Sequence, residues 1–579
     1  MKGKPADKKT IVSTLERIAL LLELSGANPF KSRAFQNGAR ALQSYEGDLA
    51  EGFASGELKK IKGVGKGILT EVDTLLDDGT SQALDELEAV VPAGLLEIAK
   101  VPGLGPKRVK TLYDKLGIES LGELEYACNE NRLVQLDGFG AKTQEKILKG
   151  IDAIRRFSGR HLLSDAWATA DQLLETIGGV KGVEKIELAG SLRRRRETIK
   201  DVDILVAADD PASVHEALTK IDGVEEIIGS GDTKTSVRLD SGINVDLRTV
   251  TTTQFPFALH YFTGSKEHNT RMRQRAKDRG LKLNEYGLFP TDSEESVDCA
   301  DEAAIFEALD LHFVPPELRE DMGEFDAAES DDLPPLVAED DIRGVLHNHS
   351  TWSDGAHSVR EMAEAARAMG FQYLGLSDHS QSAFYAHGLK EDAILRQHEE
   401  IDEVNAAMDD FVVLKGIESD ILADGSLDYD DDVLERMDFV VASVHGHFGM
   451  SREDQTKRCI RAVQNPYTSI LGHPTGRLLL GRDGFDIDLR AVIEAAAEVD
   501  CALELNANPH RLDLDWRELR FATRQGARIS IGPDAHRTEG LSDLRYGVAV
   551  ARKGWVQAGD VLNALELDDL RSWLRDRRA

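Results

Sequence analysis

Eleven of the 16 histidines in this chain of 579 residues lie between His347 and His536, and they recur with carboxylates at one kind of place, at or just beyond a short apolar run. The runs are 344–346, 373–376, 411–417, 439–444, 469–472, 502–505 and 529–532. With them come His347-Asn348-His349 and Asp354, then Asp378-His379, Glu418, His445-Gly446-His447, His473 and Asp534-Ala535-His536. Strand, ligand, helix, repeated, is how a β/α barrel is built, and its chemistry collects at the carboxyl ends of the strands. One buried histidine is ordinarily structural. A recurring set of imidazoles and acids at strand ends is the donor set of a multinuclear metal site.

A second acidic centre lies upstream. Gly190-Ser191 reads as a tight turn after a short apolar strand, and 201–206 as a strand whose alternation puts Asp201 and Asp203 on one face. Ile243-Asn244-Val245-Asp246-Leu247-Arg248 alternates likewise and offers Asp246 on a neighbouring strand. Three carboxylates on one face repel unless hard cations sit between them, and a pair of Mg²⁺ ions is the natural occupant. Arg193 to Arg196 and Lys200 add positive charge beside the turn.

Upstream again, one short pattern recurs in a helical context. Gly63-Val64-Gly65-Lys66, Gly103-Leu104-Gly105-Pro106-Lys107 and Gly138-Phe139-Gly140-Ala141-Lys142 each follow an apolar residue and open a helix. The glycines permit a tight turn, the first N–H groups of the helix face an anion, and the lysine adds charge. Three such turns in one chain are a repeated, anion-facing element.

These stretches carry resemblances. The region 190–203 resembles the nucleotidyltransferase palm of family X DNA polymerases, the group that includes DNA polymerase beta. That resemblance implies that Asp201, Asp203 and Asp246 are catalytic and hold two Mg²⁺ ions, and that Gly190, Ser191 and Arg194 hold the triphosphate of an incoming nucleotide. Tyr261-Phe262-Thr263-Gly264-Ser265 resembles the family's turn beneath the new sugar. It implies nucleotide contacts for Tyr261, Phe262 and Gly264, with Asn269 and Arg273, four residues apart on one helix face, probing the base pair. The three hairpins resemble the helix-hairpin-helix DNA clamp. Two departures stand out: Arg195 and Lys200 occupy positions where bacterial relatives have glycine, and Glu71 stands where related animal enzymes have an imine-forming lysine.

The histidine-rich half resembles the polymerase and histidinol phosphatase (PHP) domain, a distorted seven-stranded barrel binding up to three Mn²⁺ or Zn²⁺ ions. By that resemblance His347, His349, Glu418 and Asp534 hold one metal, Glu418, His445 and His473 a second, and Asp354, His379 and His536 a third. The expected chain is therefore multidomain α/β. It comprises helical segments 1–88 and 89–158, an α+β palm at 159–254, a thumb-like part at 255–315, an acidic linker at 316–341, and a (β/α)7 barrel at 342–579.

The expected activity is gap-filling DNA synthesis in repair, with metal-dependent 3′-5′ exonuclease or phosphoesterase action, including at abasic sites. Gapped or primed DNA and deoxynucleoside triphosphates are the expected partners. Untemplated nucleotidyl transfer, or a DNA-binding scaffold with an inactive palm, are the rival readings; the three hairpins and the Tyr-Phe-Thr-Gly-Ser turn speak against the first. Four scattered cysteines suggest neither a disulfide framework nor a zinc finger. No apolar run is long enough to span a membrane, so a cytoplasmic monomer is expected. The 103 acidic and 70 basic residues leave a net charge of -33, and only four lysines follow residue 290. Such a surface suits a salt-filled cytoplasm, where self-repulsion is screened over about 3 Å at 1 M salt, and points to a halophile.

Overall fold

The computed structural model describes residues 6–45, 47–155 and 159–578. It divides into two compact units, Met1–Ile154 and Arg155–Ala579. The first is helical. Its opening helix, Lys8–Leu24, is capped by Asp7, whose carboxylate accepts from the Thr10 N–H, and turns Ile11, Leu15, Ile18 and Leu22 inward. The helix Pro29–Gln43 starts with Asn28 as cap and proline in its first turn, where a missing N–H costs nothing.

The second unit begins with a palm. Its strands are β1 (His161–Leu162), β2 (Val183–Leu188), β3 (Thr198–Ile199), β4 (Asp201–Ala208), β5 (Val224–Ser230), β6 (Lys234–Leu239) and β7 (Asn244–Val250). Five of them form a sheet in the order β2-β4-β7-β6-β5, with β4 and β7 parallel and the other pairs antiparallel. Val202, Ile204, Val245 and Leu247 point into a core shared with Leu173 and Ile177 of the helix Leu163–Gly178. Period-two alternation leaves the acids on the opposite face.

Next come the helices Phe255–Thr263 and Lys266–Asp278 and the hairpin of β8 (Leu281–Asn284) and β9 (Gly287–Pro290). The segment 316–341, read from composition as an acidic linker, is folded instead. Phe325 and Ala328 of the helix Glu324–Ser330 are buried in one core with Trp555, and the Val337 N–H donates to the Val556 carbonyl at 3.0 Å. Three of its acids are drawn in: Glu317 pairs with Arg552 at 2.7 Å, Glu320 pairs with Lys553 at 2.6 Å, and Glu324 meets His268 at 2.8 Å, while others such as Asp326 and Asp331 stay exposed. What composition shows as a charge run is one side of a seam of ion pairs.

Seven parallel strands complete the chain: β10 (Gly344–Val345), β11 (Tyr373–Leu376), β12 (Val412–Asp420), β13 (Phe439–Ser443), β14 (Ile470–Leu471), β15 (Ala502–Asn506) and β16 (Ile529–Gly532). They follow one another in chain order. Asn348 bridges to Ala535, so the loop after the first strand meets the loop after the last. Tyr373, Phe439 and Ile470, near the starts of their strands, form an apolar floor with Trp573 of the final helix, Leu567–Asp576. The other end is left to polar residues.

Candidate active sites of palm and barrel

In the palm, the parallel register sets Asp203 opposite Asp246, with Asp201 opposite Asn244. Asp203 is pressed against the turn: Gly190 has φ +64°, and a Cβ there would lie 2.0 Å from Asp203 Oδ2. Only glycine serves on both counts. Burial first, then the charges of Asp201 and Asp246, push the Asp203 carboxyl up to about 7. Asp246 accepts from Lys234 Nζ at 2.7 Å and Ser236 Oγ at 2.6 Å. Those two residues escaped the sequence reading, although alternation along β6 places them on the acid face. The three palm acids do not converge to within 4.8 Å, and Lys234 supplies the neutralising charge.

The nucleotide turn is assembled as expected in part. Asn269 Nδ2 donates to the Tyr261 and Gly264 carbonyls at 2.7 and 3.2 Å, and a Cβ at Gly264 would meet Asn269 Oδ1 at 2.4 Å. Tyr261 and Phe262 touch edge to face, and Arg248 stacks on Phe262. Arg273 is exposed on the helix Lys266–Asp278. Ser191 lies in the one-turn helix Gly190–Arg193, which replaces the plain turn expected there.

The arginine run is engaged with protein partners. Arg193 donates to Thr263 Oγ1 and Glu302, and Arg194 to the Thr263 carbonyl at 2.7 Å and Glu320 at 3.0 Å. Arg195 lies 3.7 Å over the Trp167 ring, which also meets Arg545 and Tyr546 of the barrel. Arg196 faces Trp516 and Glu320, and Glu197 is 3.4 Å from Arg477. The physical reason is that half-buried guanidinium groups need partners, and the glutamates and indole faces of the seam provide them. Arg195 does so at φ +56°, a conformation that suits glycine. Lys200 remains exposed.

At the open end of the barrel, all nine predicted donors are buried or nearly so and converge. His349, Asp354, His379 and His536 form one group with ligand atoms within 4.8 Å, His347, His349 and Asp534 another, His347, Glu418 and His473 a third, and His379, Glu418 and His445 a fourth. The partition differs from the expected one: His349 belongs as much with the Asp354 group as with Asp534. Three rings are anchored on one nitrogen. His347 Nδ1 meets Glu504 at 2.6 Å, His445 Nδ1 meets Asp420 at 2.6 Å, and His536 Nδ1 meets the Asp534 carbonyl at 3.0 Å. A proton on Nδ1 leaves the Nε2 lone pair facing inward, toward Glu418 for His347 and His445 and toward Asp354 for His536, and outer partners of this kind orient metal-binding imidazoles.

The electrostatics fit a cation. Burial opposes the charge on Glu418, but His445, His347 and His379 hold its carboxyl well below the ordinary range. Burial depresses His349 and His473 to about 3, leaving both rings neutral. His379, which burial alone would lower, is lifted to about 10 by Asp354 and Glu418. His347 Nε2, both nitrogens of His379 and Glu418 Oε2 are buried with only one another and neighbouring acids to face, His379 Nδ1 lying 2.7 Å from Glu418 Oε2 and His347 Nε2 3.2 Å from Glu418 Oε1, as donors gathered around a metal would be. His347, His473 and Asp534 all have positive φ, so the backbone carries strain where the donors are delivered. Asp378 anchors the loop of His349 and Asp354 by accepting from Ser350 N, Ser350 Oγ and Gln397 Nε2. Glu504 and Asp420 were missed by the sequence reading, though both lie near the ends of barrel strands, as the ligands do.

In the helical unit, the three hairpins share one geometry. Gly63, Gly103 and Gly138 have φ of +104°, +88° and +84°. The Val64, Leu104 and Phe139 N–H groups each donate back three residues, and Lys66, Lys107 and Lys142 are exposed at the helix starts. A Cβ at Gly65, Gly105 or Gly140 would meet nothing within 4 Å, so each turn is open.

A nucleotidyltransferase palm followed in one folded unit by a seven-stranded barrel with a multinuclear donor set defines a two-centred phosphoryl-transfer protein. The comparisons agree. The models of the DNA polymerase beta thumb, a helix-hairpin-helix domain, a SAM-like helix-hairpin-helix tandem and the PHP domain match residues 258–320, 6–81, 95–153 and 346–506. The chain is 43% identical over 570 residues to the DNA polymerase/3'-5' exonuclease PolX of Bacillus subtilis (strain 168), covering 98% of this chain and 99% of that protein. Its barrel half is 32% identical over 199 residues to a probable phosphatase of Acetivibrio thermocellus, 33% of this chain and 78% of that protein. The chain belongs to the family X DNA polymerases of bacterial and archaeal type that carry a C-terminal PHP domain.

Proposed function

We propose that the chain is a DNA-directed DNA polymerase that fills short gaps, with a 3′-5′ exonuclease or phosphoesterase in its barrel. One observation supports this reading: a single folded unit sets Asp203 opposite Asp246, with Asp201 on the same strand, in its palm sheet and gathers a nitrogen-rich donor set at the barrel mouth. Carboxylates alone suit Mg²⁺, whereas imidazole-rich sets favour Mn²⁺ or Zn²⁺. When bound, such ions polarise phosphoryl oxygens and stabilise the charge that develops in the transfer.

The chain's own residues do the rest. Asp201, Asp203 and Asp246 would hold the palm cations, with Lys234 beside Asp246; Gly190 and Ser191 would bring backbone to the triphosphate, and Asn269 holds the Tyr261–Gly264 turn that would lie beneath the sugar. In the barrel, His347, His445 and His536, fixed through Nδ1, present Nε2, and Glu418 lies at the junction of two donor groups. The three hairpins hold the DNA backbone through N–H groups and Lys66, Lys107 and Lys142.

The setting proposed is DNA repair in a salt-rich cytoplasm, by a monomer, with an activity optimum at high salt. Primer extension on gapped DNA and release of 3′ nucleotides, measured on Asp203→Ala and His349→Ala, test the reading. The first variant is expected to lose synthesis and keep hydrolysis, the second the reverse. Loss of both activities in either variant refutes separate centres.

A further inference from the structure

His379 does not end its chain segment at the metal-binding group. The next ten residues form a loop whose two ends are hooked to the backbone of donor residues: the Ser380 N–H donates to the Glu418 carbonyl at 3.0 Å, and the Leu389 N–H to the His379 carbonyl at 2.8 Å. Its underside is clamped as well. Ser382 N donates to Asp428 at 2.6 Å and Gln381 N to the Tyr429 hydroxyl at 3.1 Å. Gly388 packs so tightly that a Cβ would lie 1.8 Å from the Ser380 carbonyl oxygen. This is a rigid loop, and it holds Phe384 outward with 80% of its surface exposed.

Exposure of one aromatic carries no message by itself; its place does. The Phe384 ring meets Tyr385 edge to face at 6.0 Å, and the Tyr385 ring lies 6.5 Å from that of His379. An aromatic ledge therefore runs from solvent to the donor group of Asp354, His379 and His536. Its chemistry is also unusual for this chain. From Ser380 to Lys390 there is no carboxylate, and His387 and Lys390 are exposed, in a protein with 103 acidic residues. The ledge carries no carboxylate of its own, although Gln381 shares a cleft with Glu391, Asp430, Asp431 and Asp432, and it offers a flat apolar face.

We infer that Phe384, backed by Tyr385, is a stacking platform for a nucleobase of a single-stranded 3′ end, and that it places the terminal phosphodiester over the barrel's donors. The inference rests on the phosphoesterase reading above and adds to it a positioning residue, one that would hold the end through the π face of its base rather than by sequence. Stacking on an aromatic side chain is strong enough to shift affinity about tenfold and is tolerant of base identity.

The test uses the full chain with Mn²⁺ and three substrates: a single-stranded oligonucleotide, the same oligonucleotide ending in base-less tetrahydrofuran residues, and bis(p-nitrophenyl) phosphate. Phe384→Ala is expected to raise KM for the first about tenfold with kcat little changed, and to leave the other two within twofold of the parent. Phe384→Trp is expected to restore the parent KM. An unchanged KM for the oligonucleotide overturns the inference, as does an equal loss on all three substrates, which would mark Phe384 as structural. If the parent hydrolyses none of the three, the phosphoesterase reading itself falls, and the platform with it.

Discussion

Gly190 and Asp203 occupy each other's only available space: the glycine sits at φ +64°, and a methyl group on it would lie 2.0 Å from the carboxylate oxygen. The turn at Gly190 and the strand β4 are thus set by one contact. Gly190→Ala must move either the turn or the acid. Primer extension is expected to fall by at least about 100-fold, the scale on which small misplacement of a reacting group acts. Barrel hydrolysis, measured on bis(p-nitrophenyl) phosphate, should stay near the parent rate. Retention of synthesis would show that Asp203 can yield without cost.

Arg195 tests how a strained residue is retained. Its φ of +56° favours glycine, while its guanidinium lies 3.7 Å over Trp167. The strain costs about 1 kcal/mol and the stacking returns about 1–2 kcal/mol. Arg195→Gly is therefore expected to change unfolding free energy by under about 1 kcal/mol, whereas Arg195→Ala loses the stacking and keeps the strain, and should be destabilised by about 1–2 kcal/mol. Urea unfolding of the two variants gives the order; alanine matching glycine would remove the strain argument.

Lys553 gives the seam a pH dependence. Burial, only partly offset by Glu320, lowers its ammonium to about 8. The folded state therefore releases this proton before the unfolded chain does. Between about pH 8 and the ordinary lysine value near 10.4, the unfolded state binds more protons, so stability rises with pH by on the order of 1–3 kcal/mol. Below pH 8 the gain is absent. Lys553→Met should flatten that rise in a pH series of thermal midpoints, and a parent slope of opposite sign would contradict it.

The amino-terminal helices are expected to lack imine chemistry. Glu71 stands on the helix Lys66–Asp77 and accepts from Ser81 Oγ at 2.6 Å, which ties it to the cap of the next helix. A carboxylate so held cannot attack a sugar aldehyde, which needs an uncharged amine. Borohydride treatment of the full chain on incised abasic DNA should trap no adduct. An adduct lost on Lys66→Ala would show that a different lysine has taken the task.

Most of the barrel was legible because its donors sit in register with strand ends, a one-dimensional pattern. The palm acids were legible for the same reason, through alternation in 201–206 and 243–248. Their outer partners were not. Glu504 and Asp420 find His347 and His445 only after the chain closes on itself, across separations of 157 and 25 residues. The partners of the arginine run were not legible either, because local sequence shows charge but not its counter-charge. Glu302 and Glu320, which engage Arg193 and Arg194, lie more than 100 residues downstream. The acidic stretch 316–341 misled in the complementary way, since its cations come from the palm turn and from Arg552 and Lys553.

That reciprocity bears on how such a chain can descend. Glu197 looks to Arg477 for its cation, Glu320 looks to Lys553, and Trp167 meets both Arg195 and Arg545. A hydrolytic half borrowed from another lineage would meet a mismatched set of charges and rings, with buried carboxylates left bare. Recombination at residue 341 is thus disfavoured, and the genealogies of the two halves should coincide, branch for branch, as those of one inherited piece.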